Sequence, residues 1–164
     1  MRGIVQAFRV GSGGMMPTLY AGDHLLVDTL WYRWHPIRRG EILMYRFPQG
    51  ERRSFTHRVI GLPGYTLELR DRLVLLNGHP LDEPYARYED AALRTAPPER
   101  HLGPITIPAG RLFVLGDNRD HSLDSRYGGF LELAKVQGKV RRIYFSRDAD
   151  TGSVRWARMG IEAQ

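Results

Sequence analysis

A chain of 164 residues with a net charge of +6 is long enough to bury one core and is read as a single domain. It has no cysteine, which excludes disulfides and thiolate metal sites, and all but two of its 24 basic residues are arginine, the exceptions being Lys135 and Lys139. No run approaches the ~18 apolar residues of a membrane span, and the stretch after Met1 lacks the layout of a signal peptide.

In chain order, the first strand is predicted at His24–Asp28. The aromatic run Leu30 to Pro36 with its arginines suits either a lipid headgroup interface or packing under a loop. Glu41–Phe47 alternates around Met44, Arg53–Ile60 reads as a strand, and Thr66–Arg70 alternates cleanly before Arg72–Leu76. Asn77-Gly78 is a tight-turn signal, because both residues tolerate positive φ. Residues 80–108, with six prolines from Pro80 to Pro108, predict an exposed excursion holding a short helical piece at Ala91–Arg94. Strands follow at Arg111–Leu115 and Val136–Phe145, with a turn or two of helix within Asp124–Leu133. Residues 148–164 read as a weakly ordered end with strand character around Val154–Trp156. The pattern predicts a mostly β fold of antiparallel strands in one compact body.

The dispersed arginines fit a solvated basic surface or an anionic membrane face equally, and no basic cluster interleaved with aromatics points to nucleic acid. Asp117, Asp120, His121, Asp124 and His101 match no closed zinc spacing, so no metal or cofactor is expected. Asp117, Asn118 and Arg119 read as a polar turn between strands.

Three stretches carry a resemblance. Gly11 to Leu19, G-S-G-G-M-M-P-T-L, resembles the nucleophile motif of bacterial signal peptidase I, S-x-S-M-x-P-T-L. Thr56 to Gly64 resembles the segment bearing that family's lysine base, and Gly116 to Arg126 its C-terminal signature. Shorter matches at Ala21–Val27, Arg39–Ile42, Asn77-Gly78, Glu83-Pro84 and Gly138–Val140 extend it over nearly the whole chain. The resemblance implies a signal-peptidase-like fold. In it residues 1–10 are a juxtamembrane lead-in strand, 11–79 and 109–147 the catalytic-type β core, 80–108 a short variable excursion and 148–164 a tail. The implied activity is endoproteolytic removal of signal peptides from secreted proteins at the extracytoplasmic face of the cell membrane. Its partners would be extended signal peptides and the membrane surface.

The motif positions decide how much chemistry remains. Gly14 stands where the nucleophilic serine belongs; alone it would be an ordinary turn glycine, but Met15 to Leu19 fix the register, and no oxygen is left there to attack an amide. His57 stands at the lysine position, where endoplasmic-reticulum and archaeal relatives carry histidine. Elsewhere it would pass for a packed strand residue, yet histidine also serves as a base near neutral pH. Ser12 matches the serine that helps stabilise the oxyanion, and is also the candidate substitute nucleophile. Ser54, three residues from His57 on an extended strand, is expected on the opposite face. By alignment Val10, Met15, Leu19, Phe55 and Thr56 line a groove holding an extended peptide. Ser122 would hydrogen-bond near the base, with Asp124 and Arg126 as a buttressing ion pair. Two functions follow: a serine endopeptidase of this family, or an inactive peptide-binding chaperone or assembly factor built on its scaffold.

Overall fold

The computed structural model describes residues 5–46, 53–89 and 101–163, so the helical piece expected at Ala91–Arg94 lies outside the described residues. In chain order the strands are β1 (Val5–Arg9), β2 (Asp23–Asp28), β3 (Ile42–Arg46), β4 (Ser54–Gly61), β5 (Thr66–Arg70), β6 (Leu73–Leu76), β7 (His79–Pro80), β8 (His101–Thr106), β9 (Arg111–Leu115), β10 (Leu131–Glu132) and β11 (Val136–Ser146). A seven-stranded antiparallel sheet runs β1-β2-β11-β3-β4-β9-β10, and a four-stranded one runs β7-β6-β5-β8. The fold is mostly β. The helix evidence in 124–133 resolves to one turn, α1 (Ser125–Gly128), capped by the Asp124 side chain.

The alternation around Met44 predicts a strand with one solvated face, and here the structure corrects the sequence reading. Ile42, Leu43, Met44 and Tyr45 are all buried, because β3 lies inside the large sheet with both faces covered. Ile42 and Met44 join the cluster of Val10, Met15, Leu19, Leu25 and Val27, while Leu43 and Tyr45 pack with Val59, Leu112, Val114 and Leu131. A third cluster lies where the two sheets meet, with Leu67 and Leu69 of β5 against Ile60, Phe113 and Leu115. Asn77 and Gly78 both take positive φ, 51° and 80°, and join β6 to β7 as the two-residue turn predicted. The end of the 80–108 segment, His101–Thr106, pairs with β5 rather than standing clear of the sheets.

Two further expectations are corrected. Asp117 and Arg119, read as part of a polar turn, are 0% and 2% exposed. Asp117 receives Arg58 Nε and Nη2 at 2.8 and 2.7 Å, and Arg119 pairs with Glu83 at 2.6 Å. Buried charges persist only when paired and hydrogen-bonded in this way. The end of the chain is likewise anchored: Arg158 reaches the fully buried Asp23 at 2.6 Å, and Ala163 N–H donates to Arg141 O. Burial raises the Asp23 carboxyl, but bonds from Arg158, Ser146 and the Tyr20 N–H outweigh it and hold the group below its ordinary range.

Asp117→Ala leaves the Arg58 guanidinium buried without its carboxylate. Urea unfolding should show a loss of about 3–5 kcal/mol with the slope unchanged. A change below ~1 kcal/mol would show that the pair does not hold the fold together.

Candidate active site

The turn of residues 11–19 leaves β1 and is fixed by backbone bonds. Met16 N–H donates to Gly13 O at 3.1 Å and Leu19 N–H to Met15 O at 2.9 Å. The 116–122 segment packs on it: Asn118 donates its N–H to Gly14 O and its Nδ2 to Gly13 O, at 3.1 and 3.0 Å. Only glycine allows that approach at position 116, since a Cβ there would fall 2.1 Å from Ser122 Oγ and 2.4 Å from Gly14 O. Gly14 differs. Its Cβ would meet His121 O at 3.5 Å and Ser122 Cα and Cβ at 3.7 Å, ordinary contacts, so a Cβ fits there without displacing backbone.

β4 carries His57 beside this turn, 4% exposed. Its Nδ1 lies 2.8 Å from Tyr45 Oη and its Nε2 3.2 Å from Ser122 Oγ. Burial drives the His57 pKa down to about 4, against smaller upward pulls from Asp124 and Asp117 and a downward one from Arg126. The imidazole is therefore neutral at pH 7. Burial also holds the Tyr45 phenol protonated far above neutrality. If the Nδ1 proton is given to Tyr45 Oη, Nε2 accepts from Ser122 and is the basic nitrogen; the other tautomer reverses both roles.

Asp124 and Arg126 stand behind Ser122. Arg126 Nε and Nη2 bond the Asp124 carboxylate at 2.8 Å each, and Asp124 accepts from Gly116 N–H at 3.0 Å. Burial opposes ionisation of Asp124, yet the Arg126 bonds and charge hold its carboxyl below the usual range.

A cavity of about 360 Å³ opens in front of the site. Val10, Met15, Phe55, Thr56, Ser12, Gly14 and His57 line it, whereas Leu19 lies beneath in the core. Ser12 is exposed and makes no hydrogen bond among the described residues; both nitrogens of His57 face other partners. Ser54 donates to Gln137 Oε1 at 2.8 Å. Asp120 accepts the Glu89 N–H and His121 contacts the Glu89 carboxylate, while His101 lies on β8; no cluster of three His, Asp or Glu suited to a metal occurs among the described residues. Sequence reasoning passed over Tyr45, Arg58, Arg9 and Arg53. Tyr45 was visible only through register: β3 pairs with β4 as Leu43 to His57, which makes Tyr45 a diagonal neighbour of the histidine.

A backbone-fixed turn at Gly14, a strand bearing the buried His57 and an open groove beside them are set in a mostly β scaffold. Residues 2–145 match the signal peptidase family, peptidase S26. A signal peptidase I of Leptolyngbya laminosa is 34% identical over 84% of this chain and 67% of its own length. One of Bacillus caldolyticus is 39% identical over 77% and 71%. A signal peptidase I of Enterococcus faecalis V583 has a solved structure that superposes with a TM-score of 0.52 at 33% identity, covering 64% of this chain and 97% of that one. The chain belongs to the signal peptidase I family. That family is membrane-associated, and among the described residues no helix is long and apolar enough to cross a membrane.

Burial of His57 carries a pH signature. The unfolded side chain titrates near 6.5 and the folded one near 4, so in this window only the unfolded chain binds the proton. Stability should be constant in this respect above pH 6.5 and fall as the pH drops towards 4, by about 3 kcal/mol in all. The check is urea unfolding across that range against His57→Asn, whose profile should be flatter by the same amount.

Proposed function

We propose that this chain binds extended peptides of the signal-peptide type in the groove and does not cleave them, because residue 14 supplies no hydroxyl. The observation that carries the reading is the state of the site around Gly14. The groove is open, His57 is held by Tyr45 and Ser122, and the turn is fixed by backbone bonds that owe nothing to a side chain at position 14. Losing the nucleophile thus removes the attacking atom and leaves the surface that holds the substrate. By family the setting is the extracytoplasmic face of the membrane, and the largely exposed Trp34 and Trp156, 71% and 74%, suit a headgroup layer.

Restoring the hydroxyl should restore the chemistry. In Gly14→Ser the serine Oγ attacks the scissile carbonyl carbon, and its proton passes to His57 Nε2. The tetrahedral intermediate then collapses as that proton goes to the leaving amine, leaving an acyl-enzyme for water to hydrolyse. Tyr45 acts here as a positioning residue, fixing the imidazole through Nδ1, while the Ser122 hydroxyl rotates to give up its bond to Nε2 as the serine proton arrives.

Cleavage of a fluorogenic Ala-x-Ala leader peptide, with binding followed on the same peptide, tests the reading. The unmodified chain should bind without turnover. Gly14→Ser should raise turnover by on the order of 10³ or more, and adding His57→Ala should abolish the gain. Turnover by the unmodified chain that disappears with Ser12→Ala would make Ser12 the nucleophile and overturn the proposal.

A further inference from the structure

We propose that Arg9 and Arg53 make the groove selective for extended peptides that carry aspartate or glutamate beside their small residues. The proposal rests on the peptide-binding reading above and adds a substrate class to it. Arg9 ends β1 on one wall, next to Val10 to Ser12, and Arg53 precedes β4 on the other, next to Ser54 to His57. Both are exposed, and neither side chain makes a hydrogen bond or ion pair among the described residues. Elsewhere the arginines that serve the fold are committed: Arg58 to Asp117, Arg119 to Glu83, Arg126 to Asp124, Arg155 to Asp148 and Arg158 to Asp23.

Among the described residues, those lining the groove include no aspartate or glutamate, and its apolar floor of Met15, Leu25 and Met44 is flanked by Phe8 and Phe55. Low-dielectric walls and floor focus the field of two like charges into the cleft, where a carboxylate is attracted and an ammonium repelled. A guanidinium also offers a carboxylate two parallel N–H donors. Anionic phosphate would satisfy the same donors. One cation on each wall of a concave groove suits a chain threaded between them better than a flat bilayer face.

The test is fluorescence anisotropy with three peptides that share one small-residue centre and carry glutamate, glutamine or lysine on both sides of it. Glutamate should bind about three- to tenfold tighter than glutamine, with lysine weakest, and the spread should shrink as salt rises. Arg9→Glu with Arg53→Glu should reverse the order of the glutamate and lysine peptides, and a urea unfolding midpoint equal to that of the unmodified chain shows that the variant is folded. Equal binding of the glutamate and glutamine peptides overturns the proposal and leaves the groove standing. No binding by any of the three removes the peptide-binding reading, and this proposal with it. An unaltered peptide order in the double variant, with binding to phosphatidylglycerol vesicles lost, assigns the arginines to lipid and overturns the proposal as well.

Discussion

The contact on which the rest depends is the buried bidentate pair between Arg58 and Asp117. Fifty-nine residues separate them, and the pair joins the strand carrying His57 to the segment that packs on the Gly14 turn. Asp117 also accepts the hydroxyl proton of Thr18 from within that turn, and Arg58 donates to Gly40 O and lies 4.0 Å over the Tyr85 ring. Three separate stretches of sequence therefore meet on two side chains. Such a pair gains little over a well-packed apolar substitute, but it tolerates few geometries, so it fixes how turn and strand face each other.

That arrangement explains why the site keeps its form with glycine at position 14. Gly13 and Gly14 are held through their carbonyl oxygens by Asn118, and Gly116 presses close only because it lacks a Cβ. None of these contacts involves a side chain at position 14. His57 is held in the same manner, by Tyr45 from its own sheet and by Ser122 from the packed segment. The identity of residue 14 therefore matters little to the local structure, whereas a Cβ at Gly116 would force Ser122 and the turn apart.

Burial sets the protonation of His57. A lysine in this pocket would be pushed towards neutrality, which is what a base of that kind requires. The same desolvation acting on an imidazole drives its pKa to about 4, so His57 is always ready to accept a proton near neutral pH but holds it weakly. The aspartates nearby restore only part of that basicity. With a hydroxyl placed at position 14, as proposed for Gly14→Ser, catalysis would lean on donors that stabilise the oxyanion more than on the basicity of His57.

The sequence made much of this legible, for reasons that differ by residue. Strands with one covered face, such as Thr66–Arg70, announce themselves by alternation, and Asn77-Gly78 by its tolerance of positive φ. Gly14 and His57 stood out because neighbouring motif residues fixed their register. What stayed hidden depended on partners distant in the chain. Nothing local to Asp117 or Arg119 distinguishes a buried ion pair from a polar turn, since Arg58 and Glu83 lie 59 and 36 residues away. The tail looked loose for the same cause: Arg158 finds the buried Asp23 only once β2 and β11 have paired. Arg9 and Arg53 are the remaining instance. Each is an ordinary surface arginine in sequence, and they become a matched pair of cations only when the sheet brings β1 and the start of β4 to opposite walls of one groove.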